Sequence, residues 1–91
     1  MVQPIRSWVM TPHAKAEMAR RGIDAEIVAG VLEAPEQRMP VRVGRDVLQS
    51  RVSIDGKRYV VRIFVDLDRD PPEVVTVYRT SKVGKYWSSP S

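Results

Sequence analysis

A chain of 91 residues is long enough for one domain with a small core and too short for a large cofactor-binding fold. Its 15 Lys and Arg against 11 Asp and Glu give a net charge of +4 and a pI near 9.9, which suits a polyanionic partner such as RNA without requiring one. The lack of cysteine excludes disulfides, thiolate nucleophiles and sulfur-ligated metals, and the lack of a long apolar run argues against a membrane span or a signal peptide, so we expect a cytoplasmic protein.

Two helices are predicted after a short N-terminal lead at residues 1–10. Thr11 followed by proline is typical of a helix start, and good helix formers continue as far as Gly22, which ends the helix. Asp24 is the expected cap of a second helix, AEIVAGVLEA, in which apolar residues recur at helical spacing until Pro35 stops it.

From residue 38 the apolar period changes to two, which predicts four antiparallel strands. The strands are RMPVRV (38–43), DVLQSRVSI (46–54), KRYVVRIFVDL (57–67) and EVVTVYRT (73–80). The predicted architecture is therefore α+β, with two N-terminal helices packed on a four-stranded antiparallel sheet in the order ααββββ. We expect residues 1–91 to form a single domain with a C-terminal tail at 83–91.

The face of the sheet that points away from the helices is predicted to be polar. If the strands align, the alternation places on it the side chains of Arg51, Arg62, Thr76, Tyr78 and Thr80. The sequence alone does not fix the register between strands, so this shared face is a hypothesis.

The one histidine, His13, lies in the first turn of the first helix, four residues before Glu17. An imidazole both accepts and donates a proton near neutral pH, as cleavage of RNA through the ribose 2′-hydroxyl requires. The alternative is an exposed histidine in an ordinary i,i+4 contact. Because only carboxylates remain as co-ligands, we expect no metal site and no other cofactor.

The last strand carries hydroxyl groups on one face, at Thr76, Tyr78 and Thr80, and Lys82 would follow them if the strand continued. Neutral donors next to an ammonium group suit a phosphate, and Tyr78 and Tyr86 are candidates to stack on an unpaired base. Alternatively, Thr and Tyr are simply good strand residues on a solvated face, and the nearby cations protect the strand edge from aggregation.

Two segments resemble a known family. HAKAEMARRGI, residues 13–23, resembles the HAxxRMxxRGI signature of the bacterial and phage domain-of-unknown-function family 4258, and VVTVYRTSK, residues 74–82, resembles its final strand. The resemblance covers about residues 11–87. One position departs from the signature, because the family's arginine is Glu17 here. Arg20 or Arg21 would then have to make any phosphate contact of that arginine.

That family is similar to the barnase, EndoU, colicin and RelE-like superfold of small metal-independent ribonucleases, many of which are toxins. The resemblance implies that His13 matches the polar residue of the family's first helix and that Thr76 and Tyr78 match polar positions of its last strand. We therefore expect a toxin-like endoribonuclease that acts on RNA, with an antitoxin protein as a possible partner, and a monomer or weak homodimer.

The candidate residues fall into two sets. The predicted catalytic residues are His13, Thr76, Tyr78 and Lys82. The predicted nucleic-acid contacts are Arg20, Arg21, Arg51, Arg62, Arg79, Thr80 and Tyr86. Two alternatives stay open: a non-catalytic RNA-binding or protein-interaction module of the same fold, and a structural role as a homodimer formed through a strand edge.

Overall fold

The computed structural model describes residues 2–87, so Met1 and residues 88–91 of the predicted tail lie outside the described residues. Within 2–87 the fold is mixed α+β, with three helices and one five-stranded sheet. The elements in chain order are β1 (Val9–Met10), α1 (Pro12–Arg21), α2 (Ala25–Glu33), β2 (Gln37–Arg42), β3 (Arg45–Ile54), β4 (Lys57–Asp66), β5 (Glu73–Thr80) and α3 (Val83–Tyr86).

The predicted ends of α1 and α2 are confirmed to within a residue. Thr11 caps α1, because its Oγ1 accepts a hydrogen bond from the backbone N–H of Ala14 at 3.1 Å. Gly22 ends α1 with a left-handed backbone (φ 63°), a conformation that glycine adopts without strain. Asp24 precedes α2 as expected, but its side chain makes no capping hydrogen bond.

The sheet has the strand order β1-β5-β4-β3-β2, and the three predicted antiparallel pairings are all present. The prediction of a purely antiparallel four-stranded sheet is wrong at one edge, where β1 pairs in parallel with the start of β5. The lead reaches this edge because Ile5 is buried and its N–H donates to the carbonyl of Leu32 at 2.8 Å. A strand of two residues is too short to show a period in the sequence.

The hydrophobic core lies between the sheet and the helices α1 and α2. Leu48, Ile63 and Val77 sit opposite one another across β3, β4 and β5, and all three are fully buried. Burial of each such side chain contributes about 1.5–3 kcal/mol relative to exposure. The remaining buried members of this core are Ile5, Ala14, Ile23, Val28, Val31, Leu32, Val61, Val65 and Val74.

The other face of the sheet carries the predicted polar residues. Gln49 lies opposite Arg62, and Arg62 lies opposite Tyr78, so the hypothesis of a shared face is confirmed. The face is not fully open, however, because α3 packs on β4 and the C-terminal segment, residues 83–87, covers part of it. Gln49 and Val60 are consequently fully buried on this side.

Candidate functional site

Helix α1 runs alongside β5 in the same direction. At its start the N–H of Thr11 donates to the carbonyl of Val74 at 3.0 Å, and at its end a Cβ added to Gly22 would lie 3.8 Å from the guanidinium of Arg79. The lengths agree, since eleven helical residues and five extended residues each span about 16 Å. His13 therefore lies near the start of β5.

The polar residues of α1 converge on Glu17. Its carboxylate accepts hydrogen bonds from Arg20 at both oxygens and from Nε of Arg21 at 2.7 Å, and Oε1 lies 3.6 Å from Nε2 of His13. The Glu17 side chain is only 11% exposed. The hydrogen bonds from Arg20 and then Arg21 lower the pKa of Glu17 to about 2, so the carboxylate is ionised at neutral pH. We call His13, Glu17, Arg20 and Arg21 the helix cluster.

His13 itself is open to solvent, with 65% of its side chain exposed. No hydrogen bond or ring contact joins it to Tyr78 within residues 2–87. Among the described residues, His13 therefore does not contact the hydroxyl-bearing face; Arg21, which binds the same Glu17 carboxylate, reaches the Tyr78 ring instead. The guanidinium of Arg21 lies 5.8 Å from the centre of the Tyr78 ring.

A second polar network crosses the middle of the sheet. Arg62 donates through Nε to Oε1 of Gln49 at 2.8 Å and through Nη1 to the hydroxyl oxygen of Tyr78. Gln49 in turn donates through Nε2 to Oε1 of Gln37 at 2.7 Å and to the backbone carbonyl of Tyr86 at 3.1 Å. Because Gln49 is fully buried, these bonds offset the cost of removing its amide from water. We call Gln49, Arg62, Tyr78 and Tyr86 the sheet cluster.

Aromatic rings enclose the guanidinium of Arg62. It lies 5.0 Å from the ring centre of Tyr86, 5.4 Å from that of Phe64 and 5.6 Å from that of Tyr78. Tyr78 also stacks on Phe64, with ring centres 6.0 Å apart, and meets Tyr86 edge-on at 6.3 Å. Arg62 is therefore held on several sides at once.

Arg51 is held in a similar way at the next position of the same face. It forms an ion pair with Glu36, with Nη2 and Oε2 2.9 Å apart, and its backbone N–H also donates to that carboxylate. These hydrogen bonds lower the pKa of Glu36. The ring of Trp87 lies 4.3 Å from the Arg51 guanidinium.

Two predicted site residues lie outside the hydroxyl-bearing face: Lys82 follows the end of the strand, and Arg79 points the other way, as the alternation predicts. Strand β5 ends at Thr80, so Lys82 lies outside the row of hydroxyls and its N–H donates to Oγ1 of Thr80 at 3.1 Å. Arg79 points to the helix face, where its guanidinium lies 4.6 Å from the ring centre of Tyr59. Thr76 and Thr80 lie on the predicted face, opposite Phe64 and Val60.

Sequence reasoning missed the central role of Gln49. A single glutamine in a strand is a weak signal, because its partners on β2, β4 and the C-terminal segment become visible only once the register is known. It also missed the organising role of Glu17, although the departure from the family signature marked that position.

One cavity of about 360 Å³ lies between α2 and β3, away from both clusters. Its walls are formed by Ile27, Gly30, Val31, Ala34, Glu36, Ser50, Arg51 and Val52. It is mainly apolar, and its charged residues Glu36 and Arg51 neutralise each other. The cavity therefore supplies no group for acid–base chemistry.

In the described part of the chain, no three His, Asp or Glu side chains are grouped as ligands for a metal ion. Among the same residues, no helix is long and apolar enough to cross a lipid bilayer.

Comparisons with known proteins found no match among curated proteins and none among solved structures. A family model does match, over residues 10–79, which include α1, the sheet strands from β2 to β4 and nearly all of β5. The family is described as a domain of unknown function, DUF4258. Since the match covers well over half of the 91 residues and includes both polar clusters apart from Tyr86, the chain belongs to this family.

Proposed function

We propose that this protein is a small, toxin-like endoribonuclease of the RelE and barnase type that cleaves RNA without a metal. The observation that carries the proposal is the helix cluster: an exposed imidazole lies 3.6 Å from a carboxylate that two arginines hold ionised. A proton acceptor and two cations thus occupy one edge of the sheet, beside the hydroxyl groups of β5.

In this proposal His13 takes the proton of a ribose 2′-hydroxyl. The freed oxygen attacks the adjacent phosphorus, the bond from phosphorus to the 5′ oxygen breaks, and the leaving oxygen takes a proton from solvent, which reaches the exposed imidazole edge. The products are a 2′,3′-cyclic phosphate and a 5′-hydroxyl. The Glu17 carboxylate would stabilise the imidazolium that forms when His13 takes this proton, because the two side chains lie 3.6 Å apart.

The arginines of α1 are the groups placed to stabilise the charge that develops on the phosphate. Arg20 binds Glu17 through Nη2 alone, and Arg21 binds it through Nε alone. The other N–H groups of both guanidiniums make no hydrogen bond to Glu17 and would be the ones to bind a phosphate. One guanidinium group can bind two phosphate oxygens at once through two of its N–H groups. Thr76 would add a neutral donor from the neighbouring strand.

Incubation of the purified protein with total RNA in excess EDTA tests the proposal. We expect discrete fragments whose 3′ ends carry a cyclic phosphate, because a metal-independent reaction continues in chelator and proceeds through the 2′-oxygen. If the RNA remains uncut in the assay but its band shifts on a native gel, the protein binds RNA without cleaving it, and the proposed nuclease activity is contradicted.

The second candidate function is RNA binding without cleavage. One observation favours it: His13 makes no contact with Tyr78 among the described residues, so the phenol does not lie next to the imidazole as a proton donor. In that case the basic and aromatic face still binds RNA, with strong dependence on salt.

The proposed function also implies a partner protein, an antitoxin that inhibits the nuclease. A toxin-like ribonuclease in the cytoplasm would require an antitoxin, which we expect to cover the helix cluster. Poor growth on expression of the protein, relieved by the product of an adjacent reading frame, would support this partner. Size-exclusion chromatography at two concentrations tests for a weak homodimer.

A further inference from the structure

The C-terminal segment, residues 83–87, covers part of the polar face of the sheet, with Tyr86 next to Arg62 and Trp87 next to Arg51. We propose that Tyr86 and Trp87 occupy the stacking positions of two unpaired bases, so that this segment restrains the site and single-stranded RNA must displace it. This inference rests on the proposed RNA-binding face. It adds that residues 83–87 regulate access to the face and that the face binds single-stranded RNA.

The first support is that each aromatic residue of the segment covers one arginine of the face. The ring of Tyr86 lies 5.0 Å from the Arg62 guanidinium, and the ring of Trp87 lies 4.3 Å from that of Arg51. Bases stack on arginine planes and on aromatic side chains in the same manner. The two rings therefore use the contacts that an RNA base would use.

The second support is the spacing of the two arginines. Arg62 lies opposite Gln49, and Arg51 is two residues further along β3. Diagonal neighbours of this kind have Cα atoms about 7–8 Å apart. Bases stacked in one strand of a duplex are about 3.4 Å apart, so two adjacent bases that each stack on one arginine are expected to be unstacked from one another. The site therefore suits single-stranded RNA.

The third support is that ring contacts and one hydrogen bond hold the segment, without a buried apolar face. Helix α3 has only four residues, none of them buried, and its side-chain-mediated hydrogen bond to the sheet is the one from Gln49 to the carbonyl of Tyr86. Elements with few buried apolar contacts open at low free-energy cost. Opening would uncover Gln49, Arg62 and the Tyr78 ring and would free the Arg51 guanidinium from the Trp87 ring.

The proposal is tested by fluorescence anisotropy with an end-labelled, 2′-O-methyl single-stranded RNA 12-mer, which cannot be cleaved through its 2′-oxygen. We compare wild type with the double variant Tyr86→Ala, Trp87→Ala at one salt concentration. The double variant is expected to bind about tenfold more tightly, because two cation–π contacts no longer compete with the bases. A duplex of the same sequence is expected not to compete.

Tyr59→Ala is the matched control, since it removes an aromatic ring 4.6 Å from an arginine, Arg79, on the opposite face of the sheet. Its affinity for the probe should equal that of wild type. Thermal unfolding verifies that each variant folds, and Trp87→Ala alone, with an expected gain of about threefold, replaces the double variant if that one does not fold.

The possible results separate this inference from the proposed function. Equal or weaker binding by the double variant overturns the inference while RNA binding stands. No binding by any of the proteins overturns both the inference and the RNA-binding face. Tighter binding by the double variant, combined with no cleavage of ordinary RNA, supports the inference and contradicts only the catalytic proposal.

Discussion

Nε of Arg21 donates a 2.7 Å hydrogen bond to the carboxylate of Glu17, and this bond holds the Arg21 guanidinium between the helix cluster and the sheet cluster. The Arg21 guanidinium lies at the same time 5.8 Å from the ring centre of Tyr78, the end of the sheet cluster nearest to α1. Glu17 is thus an anionic centre around which Arg20, Arg21 and His13 gather.

Glu17→Gln is expected to make stability less dependent on pH. The pKa of Glu17 is lowered from 4.5 to about 2 in the folded protein, so its ionised form contributes stability above about pH 4.5 that is lost as the pH falls toward 2. The free energy of unfolding of wild type, measured with urea, should thus exceed that of the variant at pH 7, and the gap should close between pH 4.5 and 2.

Glu33→Gln is the matched control for this experiment, because Glu33 is an exposed glutamate at the end of the neighbouring helix α2. Its unfolding curve should follow that of wild type at every pH. A gap between wild type and Glu17→Gln that stays constant from pH 7 to pH 2 would contradict the ion-paired role of Glu17.

Tyr78→Phe is expected to lower the free energy of unfolding by about 1 kcal/mol at pH 7. The variant keeps the ring that stacks on Phe64 but removes the hydroxyl oxygen that accepts a hydrogen bond from Arg62. Urea unfolding measures the loss. Tyr59→Phe is the control, since the Tyr59 hydroxyl makes no hydrogen bond to another described residue, and an equal effect of the two substitutions would contradict the role of the Arg62 bond.

Arg20→Gln is expected to weaken the dependence of RNA affinity on salt. Each phosphate that a protein neutralises on a single strand contributes about 0.7 to the slope of log affinity against log salt concentration. Loss of one phosphate-binding arginine should therefore reduce the magnitude of the slope by about 0.7. The measurement is the affinity for the uncleavable RNA at several salt concentrations.

Arg42→Gln serves as the comparison, because Arg42 is exposed on β2, at the opposite edge of the sheet from β5. It removes the same charge from the protein and should leave the slope unchanged. If both variants reduce the slope equally, the RNA is attracted by net charge alone and does not lie along α1.

Local signals in the sequence were sufficient to predict the elements that have a clear hydrophobic period or capping residues at their ends. Thr11 and Gly22 fixed α1, and the alternation in β3 to β5 placed Arg62 and Tyr78 on one face. The parallel pairing of β1 was not predictable, because Val9 and Met10 form no period and their position depends on the burial of Ile5. Lys82 lies outside the row of hydroxyls because β5 ends at Thr80, where the sequence also predicted the strand to end.

The sequence predicted many of the residues of the candidate site but few of the contacts between them. His13 and Glu17 were paired correctly by helical spacing, which is a property of the backbone alone. The burial of Gln49 depends on three separate elements that meet at one point, and the cover over Arg51 and Arg62 depends on where the chain travels after β5. Such long-range contacts leave no local pattern.

The central claim is that His13 is the proton acceptor in metal-independent RNA cleavage, and the initial rate of cleavage in EDTA tests it most directly. His13→Ala should reduce the rate at which a defined single-stranded RNA is cleaved by about 10²–10⁴-fold. The melting temperature of the protein should stay unchanged, because the His13 side chain is 65% exposed. Lys15→Ala, an exposed change on the same helix, should retain the wild-type rate. Equal rates for wild type and His13→Ala, or no cleavage by wild type, would contradict the claim.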